Sequence, residues 1–125
     1  MERVRWEEHK GKKILVLDYS GLKAGKVDEK QQLLDVIRQA YDVVGQQNEK
    51  IRFLSYVANS SADNDIMARL KEFAAFCNSN GKVDKECVVG ISPLQKIFVN
   101  TINMFSKAKL VIFDTVDQAK EWLVS

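Results

Sequence analysis

Histidine, cysteine and proline are all scarce in this chain, and each shortage removes a class of function. The single histidine, His9, is the one imidazole on offer as a hydrolytic base or a metal ligand, and it sits in the turn-like stretch HKGK. Cys77 and Cys87 form no C-x-x-C pair, so neither a structural metal site nor a redox motif is expected. Both lie in apolar patterns, which reads as buried free thiols in a reducing, cytoplasmic compartment. No run reaches the about 18 apolar residues of a membrane span, so no integral membrane segment is expected. The N-terminal MERVRWEEHKGKK alternates charge with bulk where a signal peptide would carry an apolar core. Basic and acidic residues number 19 and 17 and are intermixed, giving a net charge of +2 without a basic block. Nucleic-acid binding is therefore not expected, because it depends on a concentrated phosphate-contacting surface.

What the chain does have is hydrophobic periodicity, with 46% hydrophobic residues and no linker, repeat or low-complexity tract. That predicts one domain over residues 1–125. Val4 and Trp6, then Ile14 to Tyr19, read as a β-hairpin closing near Gly11. Asp28 and Gln31 have cap spacing before a helix whose apolar face is Leu33, Leu34, Ile37, Ala40, Tyr41 and Val44, with Gly45 as its end. A third strand, IRFLSYV, leads through ANSSADN into a helix with the face Ile66, Leu70, Phe73, Ala74 and Cys77, stopped by Asn80 and Gly81. The strand ECVVGI precedes a third helix opened by Ser92, with Leu94, Ile97, Phe98, Thr101, Ile102 and Phe105 inward and its end near Ser106. The strand KLVIF and a helix capped by Thr115 complete the order β-β-α-β-α-β-α-β-α. Strands alternating with helices in this way imply an α/β fold with parallel pairings and one antiparallel hairpin edge. An exposed edge strand would offer a route to a homodimer.

Several chemistries can be weighed against simple structural roles. Gly90-Ile91-Ser92 is the first half of a G-x-S-x-G nucleophile elbow, but the second glycine is absent and His9 is the only base. Ser92 followed by Pro93 reads instead as an N-cap with proline in the first helical position. The segment SGLKAGK lacks the spacing of a phosphate loop. Asp18, Asp114 and Asp117 are the carboxylates that an acidic phospho-receiver site would need, yet Asp18 lies inside ILVLDY beside bulky Tyr19. The junction ANSSADNDI places Asn59, Ser60, Ser61, Asp63 and Asn64 at a helix start. Such a cluster suits capping, anion binding or a phosphorylated serine.

The stretch CVVGISPLQKIFVNTINMFSKAKLVIFDTVDQAKEWL resembles small bacterial proteins of the SpoIIAA-like fold, within the STAS and CRAL-TRIO-like grouping. The likeness rests on a strand ending Val88-Val89-Gly90, a Leu94-Gln95-Lys96 turn, a strand ending Phe113-Asp114, and a helix with Ala119 and Trp122-Leu123. It implies a mixed sheet of about five strands with helices stacked mainly on one face and no catalytic centre or cofactor. STAS anti-sigma factor antagonists are regulatory protein-binding modules switched at a serine that starts the helix after the third strand. Carried onto this chain, that position is Ser60 or Ser61, although the antagonists' Asp-Ser-Ser-Gly pattern is replaced by Asn59-Ser60-Ser61-Ala62. The resemblance therefore predicts a non-enzymatic interaction module whose partner is another protein, met by the loop from Asn59 to Asp65 and by Ser92 to Lys96. CRAL-TRIO-like relatives enclose apolar ligands. The corresponding alternative is a binder of a small apolar or anionic ligand near Tyr56, Ser92, Gln95 and Lys96, although 125 residues leave little room for a cavity.

Overall fold

A computed structural model describes residues 2–104 and 109–125, and in them every side chain except those of Leu94, Phe98, Thr101 and Ile102. Strands β1 (Val4–His9) and β2 (Lys12–Asp18) pair antiparallel. Their register, with His9 opposite Lys12, leaves Lys10 and Gly11 as a two-residue turn. Both turn residues have positive φ, 52° and 79°, the geometry whose twist matches the flanking strands. Strands β3 (Ile51–Tyr56), β4 (Val83–Val89) and β5 (Leu110–Phe113) then add in parallel, in the order β1-β2-β3-β4-β5.

Helices α1 (Val27–Gln46), α2 (Asn64–Ser79) and α3 (Pro93–Asn103) each connect neighbouring parallel strands. Right-handed crossovers running in one direction along a sheet place all three helices on the same face. Leu15, Leu17 and Phe53 of the sheet pack there against Leu33, Ile37 and Ala40 of α1 and Ile66, Phe73 and Cys77 of α2. Tyr41 meets Phe73 edge to face, with centroids 5.0 Å apart, and ties α1 to α2. Helix α4 (Val116–Leu123) covers the other face, where Ala119 and Leu123 pack on Ile14, Val16, Leu54, Cys87 and Val89. Three helices on one face and one on the other is the layering that the resemblance implied.

Local details depart from expectation in three places. Helix α1 begins at Val27 with Lys26 as a cap that supplies no side-chain hydrogen bond, so Asp28 lies in the first turn instead of capping it. An acidic residue there still faces the positive end of the helix dipole. Glu29 reaches back to accept the Lys23 N–H at 3.0 Å, which fixes the entry of the chain. Gly45 does not end the helix; it lies within the last turn, exposed, and Gln47 is the C-cap. In α3, Ile97, predicted for the inner face, is 65% exposed, whereas Val99 is buried; the side chains of Leu94, Phe98, Thr101 and Ile102 lie outside the described residues. Val99 lies one turn beyond Gln95, which bonds to a neighbouring loop. Phe105 and Ser106, predicted for the inner face and the end of α3, lie outside the described residues.

Candidate functional site

The carboxyl ends of β3 and β4 run into two loops that touch. The ladder continues one step past the strands, with Val57 N–H donating to Val89 O at 2.9 Å. Gly90 then adopts φ +88°, and a Cβ at that position would stand 2.8 Å from Ala58 Cβ and Ala58 N. Only glycine allows the loops to come this close in this conformation.

Ser92 starts α3 with a reciprocal cap. Its Oγ accepts the Gln95 N–H at 3.2 Å, and Gln95 Oε1 accepts the Ser92 N–H at 2.8 Å. The amide nitrogen of the same glutamine crosses to the other loop, donating to Ser60 O at 2.9 Å and lying 3.2 Å from Ser60 Oγ. The Ser60 hydroxyl is itself spent on Val57 O at 2.6 Å. On its far side this loop is held by the chain leaving β2, with Gly21 N–H to Ala58 O at 2.9 Å and Ser61 N–H to Leu22 O at 3.0 Å. Asp63 caps α2 by accepting the Ile66 N–H at 2.9 Å, and it also pairs with Lys30 at 2.8 Å. The backbone bond to Ile66 is the largest influence holding its carboxyl below the usual range, followed by Lys30.

Beneath these loops lies a cavity of about 410 Å³ between the sheet and helices α2 and α3. Its lining includes Phe53, Val57 and Val88 from the strands, Ile66, Leu70, Phe73, Ala74 and Cys77 from α2, and Ile91, Gln95 and Val99 around α3. Leu70 and Ala74, predicted for a buried helix face, are only half-buried because this space stands over them. A domain of this length was expected to have little room for such a cavity, and that expectation is corrected here.

Glu86 of β4 also lines the cavity. Its Oε1 is buried and has no hydrogen-bond partner. Burial pushes its carboxyl up to about 7. Cys77 is driven to about 12, first by burial and then by the charge of Glu86, which keeps it in the thiol form. Tyr19, at the same cavity, is likewise raised by burial.

The residues singled out from sequence divide into three groups. Ser60, Ser61, Ser92 and Gln95 come together on the cavity lining. Asn59, with φ 57°, and Asn64 are exposed on the outer side of the loop, and Lys96 is exposed on α3. Tyr56 packs against the opposite face of the sheet, beside the α4 core. Glu86 was missed, and its signal was the alternation of β4, in which Glu86 and Val88 share one face and Cys87 and Val89 the other.

The acid–base alternatives are kept apart by the fold. His9 lies beside the hairpin turn, 2.9 Å from Glu121 of α4, at the amino end of β2, whereas Ser92 follows the carboxyl end of β4. A seven-residue strand at about 3.3 Å per residue separates those ends by roughly 20 Å. Asp18 is buried and engaged: its Oδ1 accepts from the Ser20 hydroxyl at 2.6 Å and N–H at 3.0 Å, and Arg5 lies 3.4 Å from Oδ2. Burial alone would raise its carboxyl, but these Ser20 and Arg5 contacts outweigh it and hold it below the usual range. Asp114 is exposed beyond β5, three strand spacings or about 14 Å away, so no acidic pair forms. Among the described residues no group of three or more His, Cys, Asp and Glu is placed to hold a metal ion. Nor is any described helix long and apolar enough to cross a membrane.

A family model described as SpoIIAA-like matches residues 20–124. Among solved structures, the chain is similar to an uncharacterized protein of the DUF3478 family with a SpoIIAA-like fold from Shewanella loihica PV-4. The TM-score is 0.67 at 14% identity, covering 96% of this chain and 91% of that one, a likeness that carries the fold alone. No curated protein matches the chain.

Proposed function

The chain belongs to the SpoIIAA-like family, matched over residues 20–124, and from that premise we propose that it is a non-enzymatic binding module holding a small, largely apolar ligand between its sheet and α2–α3. The cavity of about 410 Å³ carries this reading, because it falls in the size range of small-molecule sites and its lining is mostly aliphatic and aromatic. The space opens toward solvent over Leu70 and Ala74, so a ligand could enter it and cover that apolar lining. Ser60 and Gln95 border the space, and the bond between them joins the two loops over it. The buried free thiols suit a reducing, cytoplasmic setting.

A second reading, regulatory protein binding, is favoured by the Gln95 to Ser60 bond. It couples the exposed outer loop around Asn59 and Asn64 to the start of α3, so that cavity occupancy would be felt at a surface available to a partner protein. The Ser60 hydroxyl has two partners in the closed arrangement, and a phosphoryl group there would have to displace both.

Native mass spectrometry of the protein purified from its own host tests the ligand reading. A retained adduct that is lost on denaturation is expected, together with uptake of the neutral apolar dye Nile red. A Leu70→Trp variant, which fills the cavity, should abolish both. Apo mass together with no dye uptake would sink the reading.

A further inference from the structure

Glu86 introduces a polar group into an otherwise apolar space, and its environment restricts what can bind beside it. Its Oε1 is shut away from solvent and lacks any hydrogen-bond donor. No lysine, arginine or histidine is among the described residues that line the cavity. The other titratable lining groups are Tyr19 and Cys77, and burial keeps both neutral. Among the described residues the cavity therefore offers a carboxyl oxygen in want of a partner and no positive charge to receive an anion. A carboxylate-bearing ligand would bring a second negative group into the same low-dielectric space, where like charges repel strongly. A ligand with a donor would instead satisfy the buried oxygen, whose isolation costs stability. The terminal torsion of a glutamate is broad, so the carboxyl can turn either oxygen toward such a group.

Building on the pocket reading above, we propose that the cavity selects apolar molecules whose polar end donates a hydrogen bond, a primary amine above all and a hydroxyl next, and that Glu86 is the residue that receives it. A protonated amine would make a charge-assisted bond with the carboxylate, the stronger of the two cases. With the Glu86 carboxyl titrating at about 7, its carboxylate is the prevailing form in mildly alkaline solution, where an alkylamine is still protonated. On this proposal the anionic class that the sequence left open is the disfavoured one.

The test uses octylamine, octanol and octanoic acid in competition with Nile red on the full chain at about pH 8, where the three probes share one tail and differ in the head. Octylamine is expected to bind at least about tenfold tighter than octanoic acid, with octanol between them. Glu86→Gln should bring the amine and acid affinities together. Equal affinities for all three probes on the natural chain would overturn the assignment and leave the pocket reading standing. An amine preference that survives in Glu86→Gln would equally overturn it. If Nile red and all three probes fail to bind, the pocket itself is wrong and the inference falls with it. The comparison on the natural chain does not depend on how the variant folds.

Discussion

Replacing Glu86 by glutamine should change how stability depends on pH. The carboxyl has an ordinary value of 4.5 and stands at about 7 in the fold, because burial penalises its charged form. Below pH 4.5 it is protonated in both folded and unfolded chains and imposes no charge penalty. As pH rises from 4.5 to about 7 the unfolded chain ionises while the folded chain resists, and stability falls. Above about 7 both states are ionised and the loss is complete. At about 1.4 kcal/mol per pKa unit the full loss is about 3 kcal/mol. Glutamine cannot titrate, so the difference between the natural chain and Glu86→Gln isolates this one group from every other carboxylate. Urea denaturation at a series of pH values from about 4 to about 8.5 should show that difference flat, then falling, then flat again. With a denaturant slope of about 2 kcal/mol per molar, the natural chain's midpoint should drop about 1.5 M relative to the variant across the window. Parallel curves for the two proteins would refute the reasoning, since they would mean that the carboxyl is solvated or already paired in the fold.

Further outcomes follow from the loops and from the second face of the sheet. Gly90→Ala should destabilise by about 1–3 kcal/mol, since it combines φ +88° with a contact 2.8 Å from Ala58, and the loss is read from the denaturation midpoint. Ser92→Ala should cost about 1 kcal/mol as a lost cap, and a value near zero would remove Ser92 from that role. Gln95→Ala should raise amide hydrogen exchange in residues 57–62, because it cuts the link to Ser60; unchanged protection there would show the loops to be held by Gly90 and the backbone alone. Asp18→Asn should flatten the acid limb of the stability profile. The folded carboxyl is depressed below 3.8, so its stabilisation is present above that value and lost as pH falls through the lower folded value. An acid limb identical to that of the natural chain would contradict the paired state of Asp18.

Much of the architecture was legible because it is written in short-range patterns. The hairpin follows from alternation on either side of Lys10-Gly11, and the strand–helix order from the switch between twofold and helical periodicity. The caps at Ser92 and Thr115 could be read because each hydroxyl acts within one turn of its own helix. At the start of α1 the pattern misled: Asp28 has the spacing of a cap, but the cap position falls on Lys26, which supplies no side-chain bond. The Leu70 and Ala74 stripe was read as buried, and periodicity gives direction without saying whether the facing volume is filled.

Ser60 and Ser92 were picked out separately from sequence, but the bond that joins their loops runs from Gln95 across 35 positions, and no local pattern encodes it. Tyr56 and Ser55 are neighbours in the chain and face opposite sides of the sheet, so strand register alone decided that Ser55 lines the cavity and Tyr56 does not. Composition and periodicity by themselves determined the elements and their order, because these depend on which residues must leave water and at what spacing; the layering was implied by the family resemblance. The cavity and the isolation of Glu86 within it were decided only by tertiary structure. A void is the difference between volumes contributed by distant segments, and a carboxyl becomes costly only when those segments close around it without bringing a donor.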